Sequence, residues 1–204
     1  MPVILVVYTA NVCRSPLAAA VIGSSLSPAY GSDLLVLSAG TDALAEIETC
    51  PVAVRQLGHD PLPGILADAS REGELTEELV RQADLIVTAE SAHRGVVAQL
   101  DAAARPRSFT LREAALLAAH LEELGDGPRS FGDTVARMNA LRGAVAYPGS
   151  ARSGRLSLSR RRSPLELLDG HFAGAKAHAD AVHAVSDAAG RLAASLASAV
   201  RIPA

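Results

Sequence analysis

The sequence predicts an α/β fold: a three-layer domain in which a four-stranded parallel sheet carries helices on both faces. Three observations support it. Continuous apolar runs recur at 3–7, 34–37 and within 84–88, as expected of strands buried on both sides. Each run is followed by a helix-like stretch, and strands that alternate with helices build a parallel sheet covered on both faces. The chain of 204 residues is 49% hydrophobic and 20% charged, which is enough apolar material for one core and too little length for two. The expectation is a single domain over 1–204.

Taken in order, the first strand, 3–7, gives way to the polar turn Tyr8-Thr9-Ala10-Asn11. Ser15-Pro16 then reads as an N-cap and first-turn pair, and 17–22 continues as helix. A second strand at 34–37 ends in Ser38-Ala39-Gly40-Thr41, and 52–57 is a helix stopped by Gly58. A helix over about 76–83 leads into the third strand, 84–88, and 91–100 is the next helix. A short fourth strand at 107–111 precedes a helix over 112–124. Past the turn Gly125-Asp126-Gly127-Pro128 the apolar period decays: a short helix fits 134–141, and 147–162 is rich in Gly, Ser and Arg. The stretch 125–163 is therefore expected to be a flexible, Arg-rich excursion, its arginines a solvated surface, with contact to an acidic partner or nucleic acid as the alternative. The last helix runs over about 175–200, with Val182, Val185, Ala189, Leu192 and Leu196 at helical spacing.

Composition removes several classes of function. A net charge of −3 and a pI near 6.1 give no field that would draw the chain to nucleic acid or an anionic membrane. Aromatic residues are only 3% and Trp is absent, so base-stacking platforms are lacking. Cys13 and Cys50 form no Cys-x-x-Cys pair, and His93, His171, His178 and His183 show no ligand spacing. No metal site and no disulfide framework is expected; Cys13 reads as a small buried hydrophobe, and a reducing cytoplasm fits. The amino-terminal run carries no basic leader, and no stretch reaches the ~18 apolar residues of a membrane span, so neither export nor insertion is expected.

The segment between the first strand and the first helix carries the chemistry. A buried strand that ends in a short polar loop and enters a helix N-terminus can turn successive backbone amides on an anion, reinforced by the helix dipole. Arg14 adds a guanidinium fork that matches phosphate oxygens. The ligand expected of Thr9, Ala10, Asn11, Val12, Cys13, Arg14 and Ser15 is a phosphoryl group. The Gly-x-x-x-x-Gly-Lys-[Ser/Thr] pattern of nucleotide-triphosphate loops is missing.

Val7-Tyr8-Thr9-Ala10-Asn11-Val12-Cys13-Arg14-Ser15-Pro16 resembles the phosphate loop of the low-molecular-weight protein-tyrosine phosphatases, Cys-x-x-Asn-x-Cys-Arg-Ser-Pro. The likeness continues in Ser38-Ala39-Gly40-Thr41, in Ala83 to Glu90 with His93, and in Phe109-Thr110-Leu111, covering about residues 3–117 and more weakly the last helix. The resemblance implies a phosphatase fold, no cofactor and no metal. It assigns Asn11 to loop geometry, Arg14 to phosphate and Ser15 to a hydrogen bond with the nucleophile. That nucleophile is a cysteine in the family, and Tyr8 stands in its place. A phenol with an ordinary pKa near ~10 attacks phosphorus far less readily than an activated thiolate. Tyr8 could be an inert replacement, a plug in the phosphate site or a phosphorylatable switch. The family's general acid is an aspartate shortly before the last helix, for which Asp169-Gly170 is the nearest candidate and Ser163-Pro164 a competing alignment. The resemblance thus implies a pseudophosphatase that binds phosphate or a phosphotyrosine-bearing protein. The alternatives are an active phosphatase acting on phosphotyrosine or small phosphate monoesters by an altered mechanism, and a scaffold whose loop binds nothing.

Overall fold

The computed structural model describes residues 1–30, 33–44, 46–58, 73–125, 129–147, 163–167, 169–170 and 173–200. Four strands, β1 (Val3–Tyr8), β2 (Leu35–Gly40), β3 (Leu85–Thr88) and β4 (Ser108–Thr110), form one parallel sheet in the order β2-β1-β3-β4. Side chains alternate across it. Ile4, Val6 and Tyr8 of β1 face one core with Leu85 and Val87, while Leu5, Val7 and Ile86 face the other. Both faces are covered, which is why the runs read as continuous apolar stretches. Each fully buried Val, Ile or Leu contributes about 1.5–3 kcal/mol relative to exposure.

On the first face lie α1 (Arg14–Tyr30) and α2 (Pro51–Gln56). The other face carries α3 (Glu77–Gln82) and α4 (Ser91–Leu100), with a 3-10 turn at Ala102–Arg107. Helix α5 (Leu111–Glu123) is opened by a capping box in which Thr110 Oγ1 accepts from the Glu113 amide and Glu113 accepts from the Thr110 amide. It returns to the first face, as do α6 (Phe131–Ala140) and the long α7 (Ala175–Ala199). The five residues expected on the inner face of α7 are all buried there, packed against α1 and α5. No helix among the described residues is long and apolar enough to cross a membrane.

Two expectations need correction. Helix α1 starts at Arg14, so Ser15 is inside it and is not its N-cap. Pro16 is tolerated because the first backbone N–H groups of a helix have no intrahelical partner; the Leu17 amide is the one that bonds back, to the Cys13 carbonyl at 3.3 Å. The excursion expected over 125–163 is ordered packing in its first part. Ser130 caps α6, whose Phe131, Thr134, Val135 and Met138 are buried. After it Arg142 lies 3.9 Å from the Phe109 ring centroid and pairs with buried Glu113 at 3.2 Å. Small and polar residues between the buried positions of α6 hid that apolar face. Residues 126–128 and 148–162 of the expected excursion lie outside the described residues.

The order of the strands decides where a site can form. The chain steps outward from β1 to β2 and then crosses back to β3, so the connections leaving β1 and β3 part at the carboxyl end of the sheet and open a crevice. Gly40, at the end of β2, lets the neighbouring loop come close. A Cβ there would sit 2.5 Å from the Thr9 carbonyl oxygen and 2.9 Å from Ala43. Gly40→Ala is expected to lower unfolding free energy by about 1–3 kcal/mol in urea titrations, as overpacking against backbone does; an unchanged midpoint would refute this close packing.

Candidate functional site

Residues 9–13 link β1 to α1 across that crevice, strapped from one side by the segment after β2. Amides of Thr41, Asp42, Leu44 and Cys50 donate to the carbonyls of Tyr8, Thr9, Ala10 and Val12 at 2.8–3.0 Å. Because a trans peptide points its N–H opposite to its C=O, the amides of residues 9, 10, 11 and 13 are turned away from the strap. Such a row of donors can converge on an oxyanion. Asn11 makes the bend: its φ is +53°, a left-handed conformation that Asn tolerates better than most residues. Its side chain donates to the Ser38 carbonyl at 3.2 Å and accepts from Ser15 Oγ at 2.9 Å. A cavity of about 310 Å³ opens beside the loop, lined by Tyr8, residues 10–15, Leu44, Ile47 and Asp169.

The Arg14 guanidinium is buried at the mouth of α1, with 7% of its surface exposed. It donates to the Leu167 carbonyl at 2.9 Å, pairs with Asp169 at 3.0 Å and has Glu90 at 3.9 Å. Asp169, far from Arg14 in sequence, is brought here by backbone pairing: the Leu167 amide donates to the Ala89 carbonyl at 3.0 Å after β3. Gly170 allows the chain to press onto α7, since a Cβ would lie 2.2 Å from the Ala177 carbonyl oxygen. Of the two candidate alignments, Asp169-Gly170 is the one at the cavity. Pro164 instead offers its carbonyl to Arg112 at 3.0 Å.

Tyr8 is buried. Its ring stacks on His93 with centroids 6.2 Å apart, and the Arg14 guanidinium carbon lies 5.3 Å from its centroid. The hydroxyl has no hydrogen-bond partner among the described residues. Burial drives its pKa well above the ordinary value, against the pull of the Arg14 and Arg112 charges. The ring is part of the cavity wall and leaves the cavity open beside it. The Cys13 thiol is also held protonated, its pKa pushed up to about 12 by burial first and then by hydrogen bonding to Cys50.

The partners of several of these residues were not legible in the sequence. His93 Nδ1 accepts from the Glu90 amide at 3.3 Å, which leaves Nε2 to donate to Thr9 Oγ1 at 2.9 Å. It thereby ties the β3 connection to the β1 loop; its place three residues after Glu90, in a capping box, was the available signal. Cys13 is half-buried and is no plain hydrophobe, because its sulfur lies 3.2 Å from His178 Nε2. Cys50 Sγ lies 3.5 Å from the same nitrogen. Residues 13, 50 and 178 lie at the starts of three different helices that meet at one point, and no local spacing of cysteine and histidine in the sequence encodes that.

Residues 3–123 match the family described as low molecular weight phosphotyrosine protein phosphatase. The Ralstonia nicotianae protein named "Probable low molecular weight protein-tyrosine-phosphatase EpsP" is 38% identical over 91 residues, covering 45% of this chain and 57% of that protein. The match therefore spans little more than half of that relative. The protein-arginine-phosphatase of Bacillus subtilis is 34% identical over 112 residues, 54% of this chain and 70% of that one. Among solved structures, the YwlE arginine phosphatase from Geobacillus stearothermophilus superposes with a TM-score of 0.59 at 20% identity, covering 96% of this chain and 93% of the other. The tyrosine phosphatase Wzb from Escherichia coli K30, in complex with sulphate, gives 0.58 at 19% identity over 95% and 97%. Both structures share the fold with this chain.

His93 makes the site a source of acid sensitivity. Burial, then the Arg14 charge, lowers its pKa from 6.5 to about 4. Between those values the unfolded chain takes up a proton that the folded chain refuses, so stability is complete above pH 6.5 and falls as pH drops towards 4. The slope is at most ~1.4 kcal/mol per pH unit. Urea midpoints measured across this window should fall more steeply for the natural chain than for His93→Gln; equal slopes would show that His93 titrates normally.

Proposed function

The chain belongs to the low molecular weight phosphotyrosine protein phosphatase family, and from that premise we propose that it is a pseudophosphatase, a member that holds phosphorylated groups and does not hydrolyse them. One observation carries this reading: Tyr8, at the start of the loop where the family's cysteine would stand, has its hydroxyl buried and its proton tightly held. In-line displacement at phosphorus needs an anionic or readily deprotonated nucleophile. The Tyr8 phenol is neither, and the Cys13 thiol, with its pKa at about 12, stays protonated at neutral pH.

Binding asks for less. The amides of residues 9, 10, 11 and 13 and the Arg14 fork supply the donors for a dianionic phosphoryl group, with Asn11 and Ser15 fixing the bend that presents them. Asp169 occupies part of Arg14 and repels an incoming dianion, so the site favours phosphate once Asp169 swings aside. In an active relative an acid at this place would protonate the leaving oxygen; here Asp169 acts as a competitor for Arg14. Leu44 and Ile47 are exposed on the cavity wall and would pack against the ring of phosphotyrosine or the aliphatic stem of phosphoarginine, the two specificities named among the relatives. The partner is then a protein bearing such a side chain, met in a reducing cytoplasm.

The test measures phosphate binding by calorimetry and para-nitrophenyl phosphate turnover on the same preparations. The natural chain should bind inorganic phosphate without turnover, and Arg14→Ala should weaken binding roughly 10- to 100-fold, the worth of charge-assisted hydrogen bonds. Asp169→Asn should tighten it, and Tyr8→Cys should gain hydrolysis. Turnover by the natural chain that disappears in Arg14→Ala would sink the proposal and identify an active phosphatase with an altered mechanism.

A further inference from the structure

We propose that Cys13, Cys50 and His178 form a binding site for a thiophilic divalent metal ion, Zn²⁺ in the first instance. The inference goes beyond the phosphate reading and does not depend on it. The three donor atoms, two sulfurs and one imidazole nitrogen, all lie within 4.8 Å of one another. His178 Nε2 stands 3.2 Å from Cys13 Sγ and 3.5 Å from Cys50 Sγ. Bonds of ~2.3 Å to sulfur and ~2.0 Å to nitrogen at tetrahedral angles put S···N at about 3.5 Å and S···S at about 3.8 Å. Closing the triangle onto an ion therefore needs a sulfur shift of at most about 1 Å.

The donor chemistry argues for metal over simple packing. One imidazole nitrogen carries either a single proton or a single lone pair, so it cannot make full hydrogen bonds to two sulfurs at once. A cation placed among the three uses every donor. Two soft thiolates and an imidazole suit Zn²⁺ over Mg²⁺ or Ca²⁺, which take oxygen ligands. A Cys₂His set also leaves the fourth tetrahedral position to an exogenous ligand.

The backbone holds the donors in place before any ion arrives. Cys13 immediately precedes α1, Cys50 caps α2 and His178 lies in the first turn of α7. The Cys50 amide donates to the Val12 carbonyl at 2.8 Å, which fixes the two cysteine segments side by side. His178 sits on a helix turn whose amide bonds to the Gly174 carbonyl at 3.0 Å. An ion here would clamp the end of the β1 loop to α2 and to the start of α7, one residue from Arg14.

The experiment uses the full chain, untagged, reduced and stripped with a chelator, in phosphate-free buffer. Zn²⁺ is titrated against a chromophoric chelator, and Co²⁺ is added separately as a spectroscopic probe. One equivalent of Zn²⁺ should bind, and Co²⁺ should develop an intense thiolate-to-metal charge-transfer band with tetrahedral ligand-field bands. Cys50→Ser and His178→Ala should each weaken Zn²⁺ by more than ~100-fold, since losing only a second-shell partner already costs that order. His183→Ala, an exposed histidine further along α7, should bind as the natural chain does. No stoichiometric Zn²⁺, a Co²⁺ spectrum without sulfur charge transfer, or unchanged affinity in a folded Cys50→Ser would overturn the proposal. Should a variant fail to fold, the Co²⁺ spectrum of the natural chain decides alone. Phosphate affinity of the metal-free chain and its dependence on Arg14 are read separately, so either proposal can fail without the other.

Discussion

A guanidinium buried at the end of a parallel sheet must find opposite charge and hydrogen-bond acceptors, and Arg14 draws them from segments far apart in the chain. Asp169 and the Leu167 carbonyl come from the stretch before α7, Glu90 from the connection after β3, and the Tyr8 ring from β1. Burying a charge without such partners would cost several kcal/mol. The position of the late segment 163–170 is therefore coupled to that of the first loop. The Leu167–Ala89 backbone bond and the Glu166 carboxylate, which accepts from Ser91 Oγ at 2.6 Å, reinforce that coupling. The loop, the crevice and the tail stand or fall together.

The conformation of the loop, by contrast, does not depend on the side chain at position 8. The bend at Asn11 is held by Ser38 and Ser15, and the loop carbonyls are held by the strap over 41–50. None of these bonds passes through the Tyr8 side chain. The ring at that position is instead absorbed into the core beside Ile4 and Val6 and covered by His93 and Arg14. Its hydroxyl has no partner among the described residues, and a buried hydroxyl without one destabilises by ~1–3 kcal/mol.

Legibility in the sequence followed locality. The strands were readable because β1 and β3 are buried on both faces, which leaves no polar alternation to confuse the pattern. The helices α4, α5 and α7 were readable from their apolar periods. Helix α6 was only partly legible, because small and polar residues separate the Phe131, Val135 and Met138 of its buried face. The start of α1 was misplaced by two residues, since Ser-Pro reads as a cap and first turn although the helix begins at Arg14 and the Ser15 hydroxyl is spent on Asn11.

By itself the sequence determined the sheet class, the contiguous loop from Thr9 to Ser15 and the absence of a cysteine at position 8, because each of these is written in neighbouring residues. Tertiary structure alone decided which aspartate meets Arg14, that His93 anchors Thr9, that the Tyr8 hydroxyl is sealed from water, and that Cys13, Cys50 and His178 share one point. The physical reason is the parallel sheet. Every strand in it points its carboxyl end the same way, so connections and helix starts separated by tens or more than a hundred residues gather at one edge. Side chains that meet there are neighbours through topology, and no local spacing in the chain records the meeting.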